Sequence, residues 1–337
     1  MRILVIGGTR FMGYHLVWRL LAAGHRVTVL NRGQSPDPFS NRVARIHVDR
    51  RSDEFSLAVR QQNFDAVVDF LGYNANDAQR VVDALRDCTG HYLFISSGAA
   101  YLARAGAKVP CSQSLTEDDY PGPLSLQPTT AEDLASWRYG AGKRAAETVL
   151  MDAYATSHFP VTILRLPIVN GERDPDRRME SYLWRIIDGG PVWIPDAKTT
   201  LVRHVYYADV IRTIAGLVGR TDIFGESFNL SQDEEISLNA LIRLLAEAVG
   251  APDRTEDIAP ESLIQAGLIP RSVSPFSGRW ASRLNPDRAK RRLGFWHRPL
   301  AQYLDSMVAS LMSHPYPDPP ESYQTRATEM QLGHSIL

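Results

Sequence analysis

Apolar residues in the first hundred positions come in short, nearly unbroken runs, separated by stretches where they recur every three or four places. Residues 2–6, 27–30, 45–48, 64–70 and 91–95 are five such runs, rich in β-branched and aromatic side chains, and read as buried strands. Residues 11–24, 52–62 and 75–86 carry the helical period between them. Strands alternating with helices predict an α/β fold built on a parallel, doubly wound sheet.

A further helical pattern starts at about Trp137 and runs through Val149, Leu150 and Ala153. It puts Tyr139 and Lys143 one turn apart on one face. After residue 171 the regular alternation breaks. A charged stretch opens a helix to about Asp188, Gly189-Gly190-Pro191 ends it, and residues 192–194 form a short strand. The pattern predicts a main domain of residues 1–171 plus 201–231, in which residues 202–219 and 228–230 return to the main sheet. Residues 172–200 plus 232–315 form a smaller, discontinuous lobe. Prolines between His314 and Pro320 stop the last helix, and residues 316–337 are a tail that wanders or lies over a cleft.

The first loop carries the first chemical signal. Gly7-Gly8-Thr9-Arg10-Phe11-Met12-Gly13 lies between a strand and a helix, with a second strand about twenty residues on. That order sets backbone N–H groups and a helix N-terminus against a pyrophosphate, so a dinucleotide is expected on Gly7, Thr9, Arg10, Phe11, Met12 and Gly13. The second strand ends in Asn31-Arg32, without the carboxylate that would hold a ribose 2′-hydroxyl. Arg32, with Arg10, suits a 2′-phosphate, which favours NADP, with NAD as the alternative. Asp49 is placed to accept from an adenine amino group, and Leu71-Gly72 to pass close to the cofactor.

Tyrosine ordinarily titrates near pH ~10, and a neighbouring ammonium favours its phenolate. Tyr139 and Lys143 are therefore a candidate acid/base pair. Ser96-Ser97 ends the fifth strand, where ligands of open parallel sheets bind. Tyr101, Trp137 and Trp193 suit a cyclic or aromatic substrate. Arg173, with Arg177 and Arg178, is a candidate anion ligand, and His204 a candidate cleft-lining residue.

Together the N-terminal loop, the strand-end serine and the Tyr139/Lys143 spacing resemble the short-chain dehydrogenase/reductase superfamily, in its extended, epimerase/dehydratase-like branch. Residues 165–171, 205–210 and 285–295 follow that branch's usual order. The N-terminal loop and Asn31-Arg32-Gly33 are most similar to atypical members related to chloroplast stem-loop-binding proteins. The resemblance implies a Rossmann domain and NADP or NAD. It makes Tyr139 the acid/base, Lys143 its partner and ribose ligand, and Ser97, four residues before Tyr101, the hydroxyl that orients the substrate oxygen. Pro167 is implied beside the cofactor.

Sugar-nucleotide members of the branch carry diphosphate contacts that here fall on Ile168, Val202 and Pro275, with Arg203 and Arg279 nearby. The expected reaction moves a hydride between nicotinamide and a secondary alcohol or ketone of a sugar-like or secondary-metabolite substrate. A nucleotide-sugar epimerase or dehydratase with recycled NAD is the first alternative, and a non-redox RNA-binding relative the second.

Composition narrows the partners. Lys plus Arg number 37 against 38 Asp plus Glu, so no global field attracts nucleic acid or anionic lipid. With Cys88 and Cys111 alone, no disulfide framework is expected, and the histidines show no metal-ligand spacing. No apolar run approaches a membrane span and no leader pattern precedes the first strand. A cytoplasmic monomer or homodimer acting on a small molecule, without nucleic acid, membrane or metal, is the expectation.

Overall fold

The computed structural model describes residues 1–195, 200–314 and 318–336. Seven strands, β1 (Arg2–Ile6), β2 (Arg26–Asn31), β3 (Ala44–His47), β4 (Ala66–Asp69), β5 (Tyr92–Ser97), β6 (Val161–Leu166) and β7 (Ser227–Asn229), form one sheet. Its order is β7-β6-β5-β4-β1-β2-β3, and every neighbouring pair is parallel. The direction of winding reverses between β1 and β4, so a crevice opens there beyond the carboxyl ends of the strands.

Both faces of the sheet are covered, which is why its strands read as continuous apolar runs. On one face α1 (Phe11–Ala22) packs through Leu16, Val17 and Leu20 on Ile3, Val5 and Val29. On the other, α2 (Glu54–Arg60), α3 (Ala75–Leu85) and α4 (Ala131–Ser157) bury Phe55, Val81, Val82, Ala146 and Leu150 against Leu4, Ile6, Val67 and Phe94.

Helix α4 starts six residues before the position predicted from periodicity. Its N-cap is Thr130, whose side chain accepts from the Asp133 N–H, and Glu132 and Asp133 fill the first turn. Capping and charge set that boundary, and the apolar period does not register either.

A second core joins α5 (Arg178–Ile187), α6 (Tyr207–Leu217), α7 (Leu238–Ala248) and α8 (Leu300–Ser313), through Tyr182, Tyr207, Leu241, Leu245 and Met307 among others. Strand Val192–Pro195 pairs in parallel with Thr255–Ile258. One expectation needs correcting: Val202 does not enter the main sheet. Leu201–Val202 pairs antiparallel with Ile236–Ser237, and Val205–Tyr206 pairs with Val169–Asn170, so only β7 returns. The edge of β6 away from β5 is already taken by β7, which leaves Leu201–Val202 to the local ladder.

The predicted proline stop falls partly on residues 315–317, outside the described residues. Beyond it the chain does not wander. Helix α9 (Arg326–Ile336) is tied to α5 and to strand Val192–Pro195 by ion pairs and by the Trp193 Nε1–H donating to the Glu329 carbonyl at 3.0 Å.

Beneath the carboxyl edge lies a buried polar network. Arg165 on β6 grips Glu147 on α4 (Nη2 to Oε2 2.6 Å), donates to the Tyr101 hydroxyl at 2.9 Å, and stacks 3.7 Å over the Tyr120 ring. Tyr101 in turn donates to Asn229 on β7 at 2.8 Å. Removing one partner of such a pair leaves an uncompensated buried charge. Arg165→Met is accordingly expected to lower the unfolding free energy by about 3–5 kcal/mol in urea titration. A loss within error of zero would show that water solvates Glu147.

Candidate active site

Two connected hollows occupy the crevice, of about 660 Å³ and about 350 Å³, and both are lined by Gly7, Arg10, Leu71 and Tyr73. The smaller also takes Thr9, Asn31, Arg32 and Asp49; the larger takes Phe11, Met12, Gly13, Ser97, Tyr139, Lys143 and Pro167. Most residues singled out from the sequence therefore share one groove along the switch point.

The turn after β1 is built for close approach. Gly7 has φ +89°, a conformation open to glycine. A Cβ on Gly13 would lie 2.1 Å from the Gly7 carbonyl oxygen, so strand and helix touch backbone to backbone. The first turn of α1 has no side-chain cap and no acidic residue, which leaves its N–H groups open to an anion. The cradle fits a dinucleotide pyrophosphate. Arg10 is extended, at a φ of −127° that any residue adopts. The left-handed position is the next one, Phe11, at φ 41°.

At the smaller end Asn31 accepts from the Gly33 N–H at 2.7 Å and so shapes the turn, while Arg32 is exposed on the wall. Asp49 is exposed and accepts from the Arg51 N–H. The floor is ionic: Arg50 holds Asp69 at 2.8 Å, and Asp69 also accepts from Tyr92 at 2.6 Å and from the Leu71 N–H at 2.7 Å. Gly72 does not reach the groove. It faces the Phe94 ring, which a Cβ there would meet at 2.5 Å.

At the larger end the two serines divide. Ser96 is buried and donates to Glu147, whereas Ser97 is half-buried, faces the groove, and draws the Tyr139 phenol's pKa down by hydrogen bonding. Tyr139 keeps 43 % of its surface open. Lys143, one turn further along α4, is buried, donates to the Ile95 carbonyl at 2.7 Å, and lies 5.0 Å from the centres of the Tyr73 and Phe94 rings. Loss of water lowers Lys143 to about 8, partly opposed by Asp69. Tyr139 goes up from its ordinary value: part of the residue is open, but loss of water around its hydroxyl outweighs the Ser97 bond. This reverses the expected depression: Lys143 turns its proton to Ile95, and desolvation then decides.

Three candidates lie elsewhere. Tyr101 is fully buried behind the wall in the Arg165–Asn229 network. Arg173 caps the Tyr14 ring at 4.1 Å. His204 is buried, accepts from Asn170 at 3.0 Å, and packs on Phe276; burial holds it neutral, at about 3. None of the three lines the groove: Tyr101 and His204 are drawn inward by buried partners, and Arg173 stays exposed, held against the Tyr14 ring. Residues that periodicity did not flag do line it: Tyr73, which bridges both hollows, Glu132, Arg271, Trp280 and Ser282. Tyr73 directly follows Leu71-Gly72, and that strand-end position was its one signal. Gly98 admits Ser282 closely, as a Cβ there would overlap the Ser282 hydroxyl, so the outer wall presses on the β5 turn.

Residues 3–230 match the model of the NAD dependent epimerase/dehydratase family, and the chain belongs to that family. It is 24 % identical over 266 residues to the chloroplast stem-loop binding protein of 41 kDa b of Arabidopsis thaliana, covering 75 % of this chain and 64 % of that protein's length. It is 25 % identical to a 2′-dehydrokanamycin reductase of Streptomyces kanamyceticus, covering 75 % of this chain and 68 % of the relative. In fold it is similar to a dTDP-glucose 4,6-dehydratase of Streptomyces venezuelae solved with NAD and TYD (TM-score 0.71, 21 % identity, 93 % and 98 % of the two chains). A Bacillus cereus UDP-glucuronic acid 4-epimerase solved with UDP-glucuronic acid and NAD is also similar (TM-score 0.71, 19 % identity, 93 % and 99 %). Among the described residues no helix is long and apolar enough to cross a membrane, and no acidic, histidine or cysteine cluster is set to hold a metal ion.

The Lys143 titration is directly measurable. Its midpoint, followed by NMR of labelled lysine, is expected at about 8 instead of the usual 10.5. Because the buried ammonium is disfavoured, the fold carries that penalty below pH 8 and sheds it as pH rises toward 10.5; this group's contribution to stability therefore improves across that window. A midpoint near 10.5 would mean that water reaches Nζ.

Proposed function

We propose that this protein is a nicotinamide-dependent oxidoreductase that acts on a ketone or secondary alcohol of a small, sugar-like or secondary-metabolite substrate. The observation that carries the reading is Tyr139 beside Ser97 on the wall of a groove whose far end is a glycine cradle. Residues 1–171 and 201–231 hold the dinucleotide, and residues 172–200 and 232–315 cover the substrate. A bound nicotinamide dinucleotide supplies the hydride donor or acceptor.

The chain's own residues handle the proton. Ser97 holds the substrate oxygen. Burial favours the neutral phenol at Tyr139, so its resting form is an acid, suited to protonating a ketone oxygen as a new C–H bond forms. Lys143, one turn along the same helix and held between the Ile95 carbonyl and the Tyr73 ring, supplies the cation to offset the phenolate left behind. Proton transfer by a placed group is worth roughly 10²–10⁴-fold, and Tyr139→Phe should lose that much in kcat while dinucleotide binding persists. Wild-type turnover in that variant would remove Tyr139 from the chemistry.

For the cofactor, exposed Arg32 at the end of β2 supports NADP over NAD. Arg32→Ala is expected to weaken NADPH by about tenfold, equal to ~1.4 kcal/mol, with NADH unchanged in fluorescence titration. Equal losses for both would place Arg32 away from the 2′-phosphate.

A second reading, a nucleotide-sugar epimerase or dehydratase that recycles NAD, is favoured by Arg271 and Arg279 on the outer wall and by the sugar-nucleotide complexes of similar folds. Oxidised cofactor copurifying with the protein would select it. An RNA-binding role draws on the Arabidopsis relative, but the basic cluster near residue 290 is largely paired: Arg288 with Asp118, Lys290 with Asp233, and Arg292 with Glu226. Such pairs leave little charge for phosphates.

A further inference from the structure

Residues 318–336 lie beyond both the matched family region and the last helix of the second core, yet they hold its most deeply buried ion pair. Glu329 and Arg185 are each 0 % exposed and meet fork to fork, at 2.8 and 2.7 Å. Arg185 also donates to the Ser322 carbonyl at 2.8 Å and to the Ser181 hydroxyl at 2.7 Å. Arg326 grips Asp188 with two bonds of 2.7 Å and reaches the Pro191 carbonyl; Tyr323 donates to Asp188 at 2.6 Å. Burying two full charges is costly, and a loose extension has no need of it.

The location of these ties matters. Ser181, Arg185 and Asp188 are the inner face and C-cap of α5, the helix whose first residue, Arg178, lines the larger hollow. Leu332 packs on the cluster of Trp193, Ile258, Leu263, Leu268 and Val273. Val273 closes the short helix Pro270–Val273, whose Arg271 lines the same hollow, and residues 321–325 pack against that helix too. The ties therefore land on the same two short helices as the wall residues, from one to about three turns behind them. None reaches β1–β7 or the glycine cradle.

We propose that the C-terminal segment is a strap that sets the substrate side of the active site, with Glu329 and Arg326 as positioning residues that act through Arg185 and Asp188 on Arg178, and through the Val273 cluster on Arg271. The proposal rests on the oxidoreductase reading only for the name of the hollow, and the strap itself is tested without it. The strap couples to substrate and leaves the dinucleotide half alone.

The experiment compares full-length wild type, Glu329→Gln and the milder pair Tyr323→Phe/Arg326→Gln by hydrogen–deuterium exchange, with NADPH titration alongside. Residues 178–187 and 270–273 should exchange about tenfold faster in Glu329→Gln, and less so in the milder pair, while residues 1–170 and NADPH affinity stay within about twofold of wild type. Arg326→Lys, which keeps the cation, should restore most of the protection. Steady-state NADPH oxidation with cyclohexanone, a monoketone that does not condense with guanidinium groups, as the probe should show KM raised about tenfold and kcat little changed. Faster exchange confined to residues 318–336, or spread evenly over the chain, would overturn the strap. Unchanged exchange at 178–187 and 270–273 in Glu329→Gln would overturn it too, whereas the expected acceleration there, with no NADPH binding even in wild type, would count against the oxidoreductase reading alone.

Discussion

Glu147 is the carboxylate on which the geometry of the groove depends. It sits two turns beyond Tyr139 on α4 and accepts from Arg165 on β6 and Ser96 on β5. One buried charge thus locks the helix that carries Tyr139 and Lys143 to the two strands whose ends face the substrate. Lys143, bonded to the Ile95 carbonyl, adds a second polar tie from the same helix to β5. With Glu147 in place, Ser96 is turned inward and Ser97 is left to the groove. The same guanidinium extends the lock through Tyr101 and Asn229 to β7, so four elements distant in sequence share one hydrogen-bonded unit.

How much of this was legible beforehand follows from the range of each interaction. The strands were readable because a sheet covered on both faces needs unbroken apolar runs, and residues 2–6 and 91–95 have no other use. The glycine turn was readable because strand, turn and helix are contiguous. Asp69 at the end of β4 reads as a structural carboxylate, but Arg50 and Glu147 were not legible, since a buried charge looks like a surface charge until its partner from another element is known. Tyr101, His204 and Arg173 look in sequence like groove residues, and they were claimed by Asn229, Asn170 and Tyr14, partners that only the fold supplies. The start of α4 lay outside the periodic signal because Thr130 and Asp133 act through a cap.

The two ends of the groove are stiffened by different means. Around the cradle, glycines let backbone pack on backbone and leave no room for adjustment. On the substrate side, arginines hold loops by bonds to carboxylates and carbonyls: Arg178 forked on Asp174, Arg279 to the Val109 carbonyl, and Arg203 to the Asp233 carbonyl. Contacts of that kind can be re-formed around a different ligand when loops change length. A fixed end for a shared cofactor and an adjustable end for the substrate is the arrangement such a scaffold allows.

Phe11, left-handed at φ 41°, packs toward Tyr207, and Gly171 leaves the space that the Tyr207 ring enters. Backbone held in such a conformation relaxes unless its surroundings oppose it. Here the opposition arrives almost two hundred residues later in the chain. During synthesis, then, the nucleotide loop would emerge early but settle late, once Tyr207 has left the ribosome and docked behind it, and a nascent chain shorter than that would carry the loop's sequence without its shape.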